Sequence, residues 1–327
     1  MLPAHLRDQL AAAAESRRQG YRGRFAPSPT GALHRGNLRT ALLAWLDARL
    51  AGGEFLLRID DLDSPRNRPG AEASILADLR WLGLDWDGVP LRQSERRGLY
   101  GSVLSALRRA GLLYPCRCSR RLLADVSAPH GGWPVYPGFC RQRPVRWGAE
   151  GGRLPSWRLR LPDGPITWPE RHGRLGQLDG PGQVGDVVLR RADGFLAYHL
   201  ATAVDELSLG ISDVLRGHDL WPSTGAQVAL IAALGLTPPR YSHLPLWCDA
   251  SGRRLSKREG AEGLEGWRQR GLDAPAVIGE LAASAGLVAA GSRLSARELL
   301  AELTPQRLEA CLGAWAAESA AGGHGEA

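Results

Sequence analysis

A strand, a loop and a helix followed by a second strand open the main body of this chain, and that order leaves few folds available. "YRGRFAPSP" begins as a short strand and stops at two prolines, which cannot donate to a ladder. In "NLRTALLAWLDARLAGG" the residues Leu38, Ala41, Leu42, Trp45 and Leu46 recur at helical spacing, and Gly52–Gly53 close the run. "EFLLRIDD" reads as a buried strand ending in acids. "GAEASILADLRWLG" and "SERRGLYGSVLSALRRAG" read as two more helices, with Ile75, Leu79, Leu82 and Leu99, Val103, Leu107 as inward stripes. Strands separated by helices pair in parallel, so the chain is expected to form an α/β fold around a Rossmann-type parallel sheet.

Residues 112–150 break the rhythm with cysteines and Pro/Gly turns, as an insertion held by something other than a core. Beyond it, "SWRLRLP" alternates as a strand, and "GDVVLRRADGFLAYHLATAVDE" reads as a hairpin around Asp193–Gly194. "WPSTGAQVALIAALGL" is expected to be a helix capped by Ser223 or Thr224, and "YSHLPLWC" a strand. The expected units are an Ala/Arg-rich extension over 1–20, as a frayed helix or tail, and the first half of a nucleotide-binding core over 21–111. The insertion follows over 112–150, then a second insertion with the rest of the core over 151–261, and a short helical region with a Gly-rich tail over 262–327. A chain of 327 residues exceeds the size at which one core stops growing.

Lys257, in "SGRRLSKREGAEG", is the only lysine beside 40 arginines. An ammonium is a compact point charge and a guanidinium a broad planar fork, so a lone lysine in such a chain marks either a place where the fork does not serve or a chance survivor, and composition alone does not choose between them. The formal net charge of +7 permits a polyanionic partner such as RNA. No apolar run approaches the ~18 residues that span a bilayer. The first twenty residues carry Asp8 and Glu15 and lack an apolar export segment, so a cytoplasmic protein is expected.

The junction "RFAPSPTGALHRGNLRTA" carries the sharpest chemistry. A chain that leaves a strand, turns through prolines and Gly31 and starts a helix near Gly36 presents free N–H groups to an anion. Gly36 lets a nucleotide lie close to the backbone, and His34 can donate to a phosphate.

"FAPSPTGALHRGN" resembles the HIGH-type signature of class I aminoacyl-tRNA synthetases, and "RLSKR" resembles their KMSKS-type loop. With "RIDD", "YHLATAVDE" and "VLRGHDL" in order, the resemblance is to the glutamyl branch, from about Arg22 to Arg258. It implies ATP with Mg²⁺, attack of a glutamate carboxylate on the α-phosphorus, and no protein nucleophile. His34 with Asn37 would hold the phosphate end, Gly36 would lie against ATP, and Lys257 would meet the developing charge. The glutamate pocket would comprise Arg24, Phe25, Ala26, Pro27, Ser28, Asp60, Tyr198 and Arg216, with both arginines gripping carboxylate and Asp60 pairing with the ammonium. Two positions depart from the pattern. Asp60 replaces the family's glutamate, and Asn37 replaces the second histidine.

Cys116, Cys118 and Cys140 fall within 25 residues, a spacing that favours a metal over a disulfide in a cytosolic protein, with three buried free cysteines as the other reading. Cys116 and Cys118 on an extended strand could clasp a tetrahedral Zn²⁺, and by ordinary ligand chemistry His130 is a candidate for the fourth place. The pattern C-x-C…Y-x-x-x-C resembles a zinc knuckle of the same synthetase branch, which implies Tyr136 instead. Only about 65 residues follow "RLSKR", too few for an anticodon-reading domain. That shortness, with the insertion, resembles the glutamyl-Q tRNA(Asp) synthetase family. The resemblance implies tRNA-independent activation of glutamate, transfer to queuosine at the wobble position of tRNA(Asp), and a monomer. The alternatives are a truncated glutamyl-tRNA synthetase charging a 3′ end and a non-catalytic RNA-binding descendant.

Overall fold

The computed structural model describes residues 2–119, 122–123, 135–247 and 263–321. Strands β1 (Arg22–Phe25), β2 (Glu54–Ile59) and β3 (Leu91–Arg92) form one parallel ladder, with Phe25 opposite Leu57 and Arg58 opposite Leu91. Strands β9 (Asp213–Gly217) and β10 (Arg240–Leu244) form a second parallel pair, which sets Arg216 opposite His243. The pair abuts β1, where Ser212 N donates to Arg22 O at 2.9 Å.

Successive strand residues face opposite ways, and the burial follows that period. Phe55, Leu57 and Leu215 join one core with helix α2 (Arg35–Leu50) and helix α3 (Ala71–Trp81), while Leu56 and Val214 join another with helices α4 (Arg97–Arg109), α5 (Tyr198–Ser208) and α6 (Trp221–Ala233). The parallel sheet is therefore covered on both faces, as the alternation of elements predicts. The first core is completed by helices α7 (Leu264–Gln269), α8 (Ala274–Ala283), α9 (Ala296–Glu302) and α10 (Pro305–Ala321).

Three local expectations are corrected. Residues Ala4–Gln19 form an ordered helix, α1, because Leu6, Leu10 and Ala13 are buried, two of them in the second core. "YHLATAVDELS" is helix α5 rather than a returning strand: Leu200, Ala201, Val204 and Leu207 keep a 3.6-residue period, and the turn at Asp193–Gly194 closes only the isolated bridge of Arg190 with Leu196. Helix α6 begins at Trp221 with no side-chain cap, and Ser223 and Thr224 lie buried inside it.

Two antiparallel units stand beside the core. Strands β4 (Leu113–Cys116), β5 (Ser156–Leu159) and β8 (Val188–Arg190) form one; β6 (Pro165–Pro169) and β7 (Leu175–Asp179) form a hairpin. Gly176 is obligatory there, since a Cβ would fall 2.1 Å from the Trp168 ring opposite. The hairpin end is tied to β10 by Arg171 N donating to Tyr241 O at 2.8 Å. Among the described residues, no helix is long and apolar enough to cross a membrane.

Candidate active site and metal centre

A cavity of about 460 Å³ opens at the carboxyl ends of β1, β2 and β9. Its lining brings together Arg24, Phe25, Ala26, Pro27, Ser28, His34, Gly36, Asn37, Asp60, Tyr198 and Arg216, every site residue expected there except Lys257. Open parallel sheets bind ligands at this end, where loops replace the ladder.

The β1–α2 loop ends in a capping box. His34 Nδ1 accepts from Asn37 N at 3.3 Å, and Asn37 Oδ1 accepts from His34 N at 3.3 Å. An accepting Nδ1 leaves the imidazole proton on Nε2 as a donor. The Asn37 side chain thus satisfies the His34 backbone N–H, while the backbone N–H of position 37 orients the imidazole. Gly36 gives the imidazole room, because a Cβ there would lie 3.1 Å from the His34 ring and the ring would have to shift by a few tenths of an ångström. Lys257 lies outside the described residues. The chain leaves them after Trp247, which lines the cavity, and returns at Gly263, which bridges His34. Both ends of the lysine segment thus sit at the cavity.

The floor is a buried charge network. Arg24 Nε donates to Glu206 Oε1 at 2.9 Å and its Nη1 to Leu215 O at 3.1 Å. Arg58, 1% exposed, grips Asp60 with Nε and Nη2 at 2.6 and 3.1 Å, and its Nε lies 3.6 Å from Asp205. Asp205 also accepts from Arg96, Gln93 and Tyr100 at 2.8–2.9 Å. Three arginines thus meet three carboxylates. Burial pushes the Asp60 carboxyl above its ordinary range, against the pull of Arg58. The second acid of "RIDD", Asp61, instead pins Ser94 through its N–H at 2.7 Å and its hydroxyl.

The wall is built differently. Arg216, 3% exposed, donates from Nη2 to Thr224 Oγ1 at 2.7 Å, from Nη1 to Gln227 Oε1 at 2.9 Å and from Nε to His243 Nε2 at 3.2 Å. Its partners are all neutral: burial first, with the charge of Arg216, pushes the His243 pKa down to about 4. A buried guanidinium with neutral partners welcomes an anion.

Beyond the end of β4, the sulfurs of Cys116, Cys118 and Cys140 lie within 4.8 Å of one another. Tyr136 Oη sits 3.5 Å from Cys116 Sγ and 3.6 Å from Cys118 Sγ, and Cys118 Sγ is 3.7 Å from Cys140 Sγ. A tetrahedral ion with bonds of about 2.3 Å has edges of roughly 3.7 Å, so this donor set suits Zn²⁺. Burial pushes the Cys118 thiol up to about 11, and a bound cation is what would ionise it. His130 lies outside the described residues.

Residues 21–279 match the family of tRNA synthetases class I (E and Q), catalytic domain. Over 302 residues the chain is 58% identical to a glutamyl-Q tRNA(Asp) synthetase of Prochlorococcus marinus (strain MIT 9303), covering 92% of this chain and 94% of that protein. The chain belongs to this synthetase family. It is also 58% identical to the glutamyl-Q tRNA(Asp) synthetase of Synechococcus sp. (strain CC9605), over 95% of this chain and 99% of that one. A solved glutamate tRNA ligase of Elizabethkingia meningosepticum CCUG26117, in complex with its amino acid, matches with a TM-score of 0.74 and 28% identity. The match covers 89% of this chain and 65% of that ligase.

A synthetase of this family is a ligase, and several residues of its cavity escaped the motifs. Arg58 and the pair Asp205–Glu206 lie inside quoted strings, yet nothing in "RIDD" or "AVDE" says that they meet. His243, Thr224 and Gln227 carried no chemical signal; register with β9 and helix α6 brings them to Arg216.

Proposed function

We propose that this enzyme activates L-glutamate with ATP, without needing tRNA, and transfers it to the queuosine base at the wobble position of tRNA(Asp). The observation that carries the reading is the single cavity holding the His34 donor, the Asp60 carboxylate and the neutral-partnered Arg216. Arg216 and Arg24 receive the substrate's side-chain carboxylate. Asp60 takes the ammonium on the lone pairs that Arg58 leaves, through a water where the shorter side chain falls short. Tyr198 and the Phe25–Ser28 backbone border the amino acid.

The α-carboxylate attacks the α-phosphorus of ATP and pyrophosphate leaves, giving glutamyl-adenylate. His34 Nε2–H, held by Asn37, donates to phosphate oxygens, and Gly36 admits the nucleotide close to the helix N-terminus. Lys257 supplies a point charge as the leaving group develops. Mg²⁺ supplies neutralisation of the phosphate oxygens. In the second half-reaction a hydroxyl of the queuosine cyclopentenediol attacks the activated carbonyl, an ester forms and AMP leaves. Cys116, Cys118, Cys140 and Tyr136 hold Zn²⁺ in a closed, structural site.

Labelled glutamate, ATP and tRNA(Asp) with or without queuosine test the reading. Label is expected only on the queuosine-bearing tRNA, and glutamate-dependent exchange of pyrophosphate into ATP is expected with no tRNA at all. Equal labelling of both tRNAs would sink it. Lys257→Arg is expected to slow adenylate formation by about 100-fold, the scale of one lost charge-stabilising donor, with an unchanged melting temperature.

A further inference from the structure

Glu170 stands at the end of β6, outside the parallel core, yet it reaches the wall of the cavity. Its backbone bridges Tyr241, and its carboxylate lies 3.2–3.3 Å from His243 Nδ1. Trp168 Nε1, on the same strand, fixes that carboxylate with a 2.6 Å hydrogen bond. On the other side of the imidazole, Arg216 Nε donates to Nε2 at 3.2 Å, and Thr224 Oγ1 lies 3.2 Å from the same nitrogen. Nε2 must therefore accept, and the ring proton must sit on Nδ1. A free imidazole has no such obligation; the carboxylate on Nδ1 imposes it.

We propose that Glu170 is a positioning residue for selection of the acidic substrate: it holds His243 as the Nδ1–H tautomer, so that Nε2 accepts from Arg216 and sets the guanidinium fork facing the substrate's side-chain carboxylate. The device has two consequences. Arg216 keeps its charge for the ligand, because a neutral ring stands between it and the Glu170 carboxylate. And selectivity for glutamate over glutamine depends on a hairpin that contributes nothing to the phosphate end. The inference rests on glutamate binding at Arg216, as proposed above.

The test is glutamate-dependent pyrophosphate exchange by the full chain, with Glu170→Ala and Glu170→Gln compared. Glu170→Ala is expected to raise KM for glutamate about tenfold, the scale of one charge-assisted hydrogen bond, with kcat and KM for ATP little changed. Glu170→Gln, whose Oε1 still accepts from Nδ1–H, is expected to recover most of the loss. Nitrogen-15 NMR of His243 is expected to show the Nδ1–H tautomer in the parent enzyme and in Glu170→Gln. An unchanged KM for glutamate in Glu170→Ala overturns the inference. So does a parallel rise in both KM values with a fall in kcat, which would mean a general structural role. Absence of any glutamate-dependent exchange by the parent enzyme would instead overturn the glutamate reading, while the NMR result would still decide the tautomer.

Discussion

On the floor of the cavity Arg24, Arg58 and Arg96 meet Asp60, Asp205 and Glu206; on its wall Arg216 meets a threonine, a glutamine and a histidine. Both sets of guanidinium groups are largely buried, and both line or back the same space. Their charges are spent differently. The floor cancels most of its own charge, so its strong interactions chiefly fix geometry, and Arg24 and Asp60 meet a ligand only through the donors and lone pairs that their partners leave. The wall satisfies its hydrogen bonds without cancelling its charge, which favours whatever anion enters. A glutamate carries one net negative charge, which is what such a wall lacks. The same residue type therefore serves as scaffold in one place and as recognition element a few ångströms away, and the difference lies wholly in the partners.

The largest effect is expected from breaking the floor. Arg58→Met would leave Asp60, Asp205 and Glu206 facing two arginines, and a buried carboxylate stripped of its partner costs about 3–5 kcal/mol. Urea unfolding should show that loss; a variant as stable as the parent would mean that the floor is hydrated and does not bind by charge. Arg216→Met is the matching cut on the wall. Its former partners are neutral, so the cost is that of acceptors left unpaired and stability should fall less than in Arg58→Met, while KM for glutamate should rise about 100-fold, the scale of a lost charge-assisted pair. If stability fell as in Arg58→Met and KM did not move, the two regions would be alike and the contrast wrong. A smaller change separates the metal centre from both. Tyr136→Phe removes one of four donors, and zinc content measured after dialysis should fall while glutamate affinity stays.

Much of the cavity was legible because its residues lie where a regular pattern breaks. The prolines after β1, the acids after β2 and the glycine after "VLR" interrupt strands, and the parallel order brings those breaks to one end of the sheet. The three cysteines were legible from spacing alone, and Tyr136 from resemblance. The rest depended on distant pairing. Glu206 reaches Arg24 across 182 residues, and Asp205 reaches Gln93 across 112. Neither acid differs locally from a solvated one. Helix α5 was obscured by a plausible turn: Asp193–Gly194 does turn the chain, but the alanines and leucines that follow favour a helix more than a second strand. Glu170 was invisible for a further reason, since it belongs to a hairpin whose docking on β10 no local pattern specifies.

Floor and wall should also titrate in opposite senses. His243 and His199 both have pKa values pushed down to about 4, by burial first and by the charge of Arg216, against an ordinary value of 6.5. The unfolded chain therefore takes up protons near pH 6.5 that the native wall refuses, and stability is lost as pH falls from there toward 4. Two such histidines predict a loss of about 2 kcal/mol between pH 6.5 and 5.5. His172 and His218 shift in the same direction. Asp60 on the floor shifts the other way: its raised pKa means that the native state binds its proton more readily than the unfolded chain, so its contribution grows as pH falls into the carboxylate range. Urea unfolding at a series of pH values, repeated on His243→Gln, would separate the two. The variant should lose about 1 kcal/mol less than the parent over the same interval, because glutamine can accept from Arg216 without titrating. An identical slope would mean that His243 binds its proton as readily in the native state as in the unfolded chain, and a larger loss in the variant would mean that it is already protonated there; either result would put a cation beside Arg216 where the contrast between floor and wall requires a neutral acceptor.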